Sequence, residues 1–271
     1  MIKQPLEQAL LLLLALLLLL PFVWFVSIAL RPQGDLYQIF PSRLTLENFP
    51  AMLDRVPAIA RHFGDSFAIT GASIALTVVL SITAGYAFAR LRFRGRDQLF
   101  WLLIPTIFVP HATVVATLYL ELADLRLIDT RLGLILVYAA WQVPIGTLIM
   151  RSVFRQIPDE LEQAARIDGA GTWQILWRIY APLSMGGVIV VSLISFVYLW
   201  GEYLFASTFA GDQVIPMSLG IRFFQPTASD PTFTFNVAAA AGLIMFVPSV
   251  VIYVVFQKWF SRGVLEGALK G

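Results

Sequence analysis

The sequence contains no cysteine, and only two histidines and three lysines occur among its 271 residues. Without cysteine there is no disulfide framework, no thiolate metal site and no cysteine nucleophile. The chain also lacks a His-Glu-x-x-His zinc motif, a Gly-x-Ser-x-Gly elbow and a Gly-x-x-x-x-Gly-Lys phosphate loop. These absences argue against a membrane-embedded enzyme. They predict a chain that binds no metal or cofactor and does not hydrolyse ATP by itself.

Charge is also scarce, since 13% of the residues are charged and 58% are hydrophobic. A water-soluble domain rarely has this composition. The basic residues flank apolar segments, which argues against nucleic-acid binding. Six uncharged intervals approach or exceed the roughly 20 residues that cross a bilayer as a helix, and none shows strand-like alternation. The sequence therefore predicts a single all-α, polytopic domain over residues 1–271, with six spans at about 8–30, 66–90, 99–120, 132–150, 186–210 and 236–258.

The ends of these spans predict the orientation in the lipid bilayer. With the N-terminus inside, the cytoplasmic side carries twelve of the Lys and Arg residues and the opposite side seven. The densest basic cluster, Arg90 to Arg96, lies in a short loop on the inner side, where positive charge determines topology most strongly. A secretory signal peptide is a weaker interpretation of the first span, because its apolar run exceeds the usual 7 to 15 residues. Both termini are therefore expected in the cytoplasm.

Residues 157–183, between the fourth and fifth spans, predict two short helices joined by a glycine turn. Pro158 suits a first helical turn, and the acidic residues after it lie near the positive end of the helix dipole. Gly169 and Gly171 permit turn conformations, and Pro182 is expected to end the second helix. One face of the first helix is expected to be flat and to carry Leu161, Ala164, Ala165 and Asp168.

This pair of helices carries Trp173, Trp177 and Ile179, which are unusual on a solvated surface unless something covers them. Two interpretations follow from the residues alone. Either another protein covers these side chains, or the pair folds back on the ends of its own spanning helices.

The stretch ELEQAARIDGAGTWQILWRIYAPL, residues 160–183, resembles the coupling-helix motif of ABC importer permeases. In that family the element lies in a cleft of the cytoplasmic ATPase and transmits its closure to the spanning helices. Gln163 stands where the family usually has Glu, with Glu162 before it, and Ala181 replaces the usual Leu. By resemblance, the ATPase-coupling residues are Glu162, Gln163, Ala164, Ala165, Asp168, Gly169, Ala170 and Pro182.

Two further stretches are similar to six-span permeases of the maltose-transporter type. The C-terminal tail, residues 259–271, resembles a tail that reaches into the ATPase dimer, which implies ATPase contacts for Gly267, Lys270 and Gly271. Trp200 to Tyr203, WGEY, resembles a pattern of the fifth span. The resemblance implies a prokaryotic inner-membrane permease for a sugar or sugar-like solute, with a second permease, two ATPase subunits that use ATP and Mg, and an extracytoplasmic binding protein.

Glu202 is the one acidic residue deep within an apolar stretch of the sequence, where an ionised group is costly. With Trp200 and Tyr203 it is a candidate for the translocation path. The alternative is that Glu202 pairs with a polar neighbour or a backbone group. As a function class, the alternative to the permease is a stand-alone secondary transporter, although the two halves show no clear internal repeat.

Overall fold

All regular secondary structure in the described part of the chain is helical, as the composition predicted. The structure is a computed structural model that describes residues 3–32, 35, 38, 40–224 and 235–268. Its α-helices are α1 (Lys3–Ala29), α2 (Asn48–Arg55), α3 (Ile59–Arg90), α4 (Arg96–Leu103), α5 (His111–Asp124), α6 (Arg131–Arg155), α7 (Asp159–Ile167), α8 (Thr172–Ile175), α9 (Ala181–Leu183), α10 (Met185–Leu199), α11 (Leu204–Phe209), α12 (Met217–Gly220) and α13 (Phe235–Ala268). Ile104–Phe108 and Ile221–Phe224 form 3₁₀ helices, and Leu176–Tyr180 forms a π-helical turn.

Among the described residues, four helices are long and apolar enough to cross a membrane, and six spans result if each of two bent pairs counts as one. The four are Glu7–Ala29, Ile59–Arg90, Arg131–Arg155 and Phe235–Gln257. The first bent pair joins Arg96–Phe108 to His111–Asp124 at 105°. Pro110 stands between these two helices, and a proline lacks the N–H that a continuous helix requires.

The fifth predicted span differs from the expectation of one helix over residues 186–210. α10 ends at Leu199, and a separate helix, α11, begins at Leu204. Before α10, the chain remains helical through Pro182 and bends by 75° at Ser184, so the prediction that Pro182 ends the helix is wrong. The π-helical turn before Pro182 explains this, because its wider spacing relieves the clash of a proline ring with the preceding turn.

The chain divides into two units, and the first comprises residues 1–61 and 220–248. Within it, Ala29 packs with Ala239 and Ala240, where small side chains bring the helices close. Arg31 is fully buried, and its guanidinium donates to the backbone oxygens of Asp35 and Gln38. These bonds satisfy a charge that would otherwise be costly to bury. The leucines of α1, by contrast, are exposed over Leu10 to Leu20.

The second unit comprises residues 62–219 and 249–271, and its core lies along α3, α6 and α10. Gly146 of α6 approaches α3 so closely that a Cβ there would lie 2.1 Å from the Ser81 Oγ. At the end of α3 and α6, the side chains of Tyr86, Phe154 and Tyr180 form one buried aromatic cluster. This cluster is the base on which residues 157–183 rest.

Candidate functional site

The segment 157–183 begins with an acidic helix start, as the sequence predicted. Pro158 precedes α7 with φ −57° and ψ 138°, and Asp159, Glu160 and Glu162 occupy the first turn. Their negative charges lie beside the unpaired backbone N–H groups of a helix N-terminus, where acidic side chains are stabilising. The start of α7 is therefore set by local sequence.

α7 ends in a Schellman turn centred on Gly169. The Gly169 N–H donates to the Arg166 carbonyl oxygen at 3.1 Å, and the Ala170 N–H donates to that of Ala165 at 2.9 Å. Gly169 has φ +80°, in the left-handed region that favours glycine. A Cβ at this position would meet no atom within 4 Å. Backbone angle, not lack of space, is therefore what requires glycine here.

One face of the segment, the inner face, packs on the protein's own core. The polar contacts of this face centre on Glu162. The Tyr180 hydroxyl donates to Glu162 Oε2 at 2.9 Å, and Arg166 Nη2 donates to Glu162 Oε1 at 2.7 Å. The hydrogen bond from Arg166 to the Glu162 carboxylate raises the pKa of the Arg166 guanidinium. Ala165 and Ala170 are half-buried against the aromatic cluster. The inner face is therefore held by both polar and apolar contacts.

Arg90, the last residue of α3, ties this segment to the spanning helices. Its guanidinium donates to the Asp159 carboxylate and to the backbone oxygens of Phe154 and Ile157. It also lies 5.1 Å from the ring centroid of Tyr180, a cation–π distance. From the sequence, Arg90 was predicted only as part of the charge cluster that determines topology. Its position at the end of a span was the signal for a role in holding helix ends.

The other face, the outer face, is exposed. The exposed fraction is 86% for Ile167 and 67% for Trp173, and Leu161 is also exposed. The expectation that Leu161, Ala164, Ala165 and Asp168 share one face is wrong for Ala165, which turns towards the core while Ala164 is exposed. Of the predicted coupling residues, the exposed ones are Gln163, Ala164, Asp168, Gly169 and Pro182, and the half-buried ones are Glu162, Ala165 and Ala170.

The structure therefore combines the two interpretations of this segment. Ile179 is half-buried against the aromatic cluster, as in a segment folded back on its own helix ends. Trp173 and Trp177 are exposed. Rigid attachment on one side and an exposed apolar surface on the other suit a docking element.

The candidate path residues lie between α10 and α11. Glu202 accepts hydrogen bonds from the Tyr138 hydroxyl at 2.8 Å and from the Phe205 and Ala206 N–H groups at 2.9 and 3.1 Å. It thus caps α11, which agrees with the alternative that Glu202 pairs with a neighbour and the backbone. Trp200 is buried between Phe67 and Phe196, and Tyr203 is exposed.

Residues 77–266 match a known protein family, the binding-protein-dependent transport system inner membrane component. The chain belongs to this family. Over 258 residues it is 31% identical to the sulfoquinovosyl glycerol transport system permease protein SmoH of Agrobacterium fabrum, covering 93% of this chain and 89% of SmoH. Over 265 residues it is 32% identical to the sn-glycerol-3-phosphate transport system permease protein UgpE of Yersinia pestis, covering 93% of this chain and 92% of UgpE.

A solved structure has the same fold as this inner membrane component. It is the crystal structure of a bacterial ABC transporter involved in the import of the acidic polysaccharide alginate. The TM-score is 0.78 at 23% identity, and the alignment covers 96% of each chain.

Membership in this family makes the chain a multi-pass permease of the cytoplasmic membrane. The alternative of a stand-alone secondary transporter is wrong, because transport in this family depends on a separate binding protein. The described part of the permease includes Gly267 within α13, whereas Lys270 and Gly271 lie outside it. The predicted contacts of this tail with an ATPase remain a prediction.

A second polar cluster of the permease was not predicted. The Asp129 carboxylate accepts from the N–H groups of Gly211, Gln213 and Val214 at 2.8 to 3.1 Å. Burial by itself would raise the pKa of the Asp129 carboxyl, but these backbone donors outweigh it and hold the pKa below its usual value. Asp129 thereby fixes the loop after α11. No local sequence pattern signals a pairing over 82 residues or more.

Replacing Glu202 with Gln tests whether this residue is structural. We expect Glu202→Gln to lower the melting temperature of the permease by several degrees, because a charged cap of this kind contributes about 1–2 kcal/mol. The KM for uptake should be unchanged. Thermal unfolding in detergent and uptake assays measure the two effects. Glu121→Gln is the control, since Glu121 is an exposed glutamate of α5. A changed KM at unchanged stability would instead place Glu202 in the translocation path.

Proposed function

We propose that this permease is one of two permease subunits of a carbohydrate importer, and that the outer face of residues 157–183 docks on a cytoplasmic ATPase. The observation that carries the proposal is the exposed apolar surface of Leu161, Ile167 and Trp173 on a segment whose inner face is held by Arg90 and Tyr180. An exposed apolar patch on a rigid support is typical of a protein–protein contact.

The substrate class is proposed from the relatives. SmoH is named for transport of sulfoquinovosyl glycerol, and UgpE for sn-glycerol-3-phosphate. The transporter of similar fold imports a polysaccharide. These are polar, hydroxyl-rich solutes, so we infer a sugar or sugar-like solute for this chain.

The energy for transport is proposed to come from partner subunits. The sequence has no Gly-x-x-x-x-Gly-Lys phosphate loop, so ATP and Mg would be used by two ATPase subunits and not by this chain. An extracytoplasmic binding protein would deliver the solute. The proposed topology has six spans and both termini in the cytoplasm, which places residues 157–183 and the tail 259–271 on the ATPase side.

A charge on the outer face tests the docking proposal. We expect Ile167→Asp to reduce several-fold the ATPase subunits that copurify with the permease from cells expressing the whole transporter, because a carboxylate in an apolar contact must be desolvated. Sugar-stimulated ATP hydrolysis should fall in parallel. The measurements are subunit stoichiometry after affinity purification and ATPase activity with a panel of sugars and the binding protein.

Leu125→Asp is the matched control. Leu125 is an exposed leucine after α5, which the proposed topology places on the opposite side of the membrane. The Leu125→Asp variant should copurify with the ATPase subunits as the wild type does. Full retention of these subunits by Ile167→Asp, with normal sugar-stimulated hydrolysis, would show that docking uses another surface.

A further inference from the structure

A polar cavity of about 480 Å³ lies between the loop that follows α3 and the inner edge of α7. Its charged lining consists of Arg90, Arg92, Arg96, Arg166, Asp159 and Glu162. Four guanidinium groups against two carboxylates leave two positive charges in excess. The proposed ATPase contact lies on the outer face of residues 157–183 and uses neither Arg92 nor Arg96.

The excess positive charge belongs to Arg92 and Arg96. Arg90 is paired with Asp159, and Arg166 with Glu162. Arg96 is half-buried, and its guanidinium donates to the Asp97 carboxylate at 3.2 Å and to the Leu91 backbone oxygen at 3.4 Å, which leaves donor groups for a further partner. Within the described ranges, no hydrogen bond or ion pair involves the Arg92 side chain, which is exposed.

A second cavity of about 340 Å³ shares Arg92 and Arg96 with the first. Phe93, Gly95, Asp97 and Gln98 also line it, so two guanidinium groups face one carboxylate there. Gly95 has φ +83°, and this left-handed turn reverses the loop so that Arg92 and Arg96 line the same two cavities. Arg94, which is in the same loop and is exposed like Arg92, lines neither cavity.

The height of these arginines relative to the bilayer follows from α4. Leu99, Trp101 and Leu102 are 50%, 69% and 70% exposed, as expected of side chains that face lipid. Trp101 is five residues beyond Arg96, or about 8 Å along a helix. Tryptophan is enriched at the membrane interface. We therefore expect Arg92 and Arg96 to lie near the membrane interface, within reach of lipid phosphates.

We propose that Arg92 and Arg96 bind the phosphate of an anionic phospholipid headgroup at this cavity. A guanidinium donates two parallel hydrogen bonds to phosphate, and a net positive cavity beside spanning helices favours an anionic over a zwitterionic lipid. Gln163, which lines the same cavity, is uncharged and does not reduce the positive excess. The bound headgroup would bridge the α3–α4 loop to α7. Lipid binding at this cavity does not depend on the proposed ATPase docking.

Lipid retention by the purified transporter tests this site. We expect the wild-type complex in mixed phosphatidylglycerol and phosphatidylcholine to retain phosphatidylglycerol in native mass spectrometry. Arg92→Gln should reduce that retention about fivefold, and Arg92→Glu more, since one arginine near a membrane surface contributes roughly this factor. If Arg92→Glu fails to insert, Arg92→Gln carries the test.

Arg94→Gln is the control, because it removes the same charge from the same loop outside the cavities. It should retain phosphatidylglycerol as the wild type does. Equal losses in Arg92→Gln and Arg94→Gln would mean that the loop is only a topology signal and would overturn the site. Displacement of the lipid by equimolar inorganic phosphate would assign the site to free phosphate instead. Retention is measured without nucleotide, so failure of the ATPase-docking proposal would leave this result unchanged.

Discussion

Gly169→Val is expected to abolish solute transport by the assembled transporter while leaving membrane insertion and basal ATP hydrolysis intact. The Schellman turn requires φ +80° at this position, and a β-branched residue held there costs about 1–3 kcal/mol. α7 would then leave its native orientation in most molecules. The fraction of transporters with α7 in the docked geometry would fall roughly tenfold or more. Uptake into proteoliposomes and ATPase activity measure the uncoupling.

Two further variants separate strain from steric exclusion. Gly171→Ala is the control, since Gly171 has φ −74° and a Cβ there meets no atom within 4 Å. Gly169→Asn tests the backbone itself, because Asn tolerates the left-handed region. If Asn restores transport, the turn conformation is what matters. If Asn is as inactive as Val, the side chain obstructs the docking surface. Normal transport by Gly169→Val would refute the assigned role of the turn.

Arg90→Gln is expected to detach α7 from the spanning helices and to reduce substrate-stimulated ATP hydrolysis at least about tenfold. Glutamine is shorter and uncharged, so the Asp159 carboxylate and the backbone oxygens of Phe154 and Ile157 lose their shared donor. A hydrogen bond to a charged group contributes about 1.5–3 kcal/mol, and several are lost together. Limited proteolysis within residues 156–171 should become faster.

Arg94→Gln serves as the control for Arg90→Gln, because Arg94 is exposed and forms no hydrogen bond or ion pair in the described structure. It should show wild-type proteolysis and ATPase activity. Coupled ATP hydrolysis by Arg90→Gln at the wild-type rate would mean that α7 is held by its apolar contacts alone.

Gly169→Val and Arg90→Gln test two different requirements of the segment 157–183. A segment that transmits force must be fixed to its own spanning helices, which Arg90, Tyr180 and Glu162 provide. It must also present a surface of defined shape to its partner, which the turn at Gly169 provides. Loss of either requirement should uncouple ATP hydrolysis from transport.

Some features of the fold were predictable because their signals are local. The first, second, fourth and sixth predicted spans correspond to single long helices, since apolar length is a property of one stretch of chain. The start of α7 and its glycine turn followed from Pro158, the acidic first turn and Gly169. The break before α5 lies at Pro110, and the effect of a proline on a helix is also local.

Other features were not predictable because they depend on distant partners. Ala164 and Ala165 are adjacent and chemically identical, yet only Ala165 packs on the core, since the aromatic cluster lies on that side. A regular helical period could not identify that side without knowing where α3 and α6 end. The bend at Ser184 instead of Pro182 likewise depends on the π-helical turn.

By itself, the sequence determined an all-helical membrane chain, its apolar spans and a two-helix segment with the family's motif, because composition, hydropathy and turn chemistry act over neighbouring residues. Only the tertiary structure decided that Arg90 holds α7 across 69 residues and that Glu202 binds Tyr138 across 64. The physical reason is that a buried charge needs a partner, and the chain path determines which distant group lies within hydrogen-bond reach.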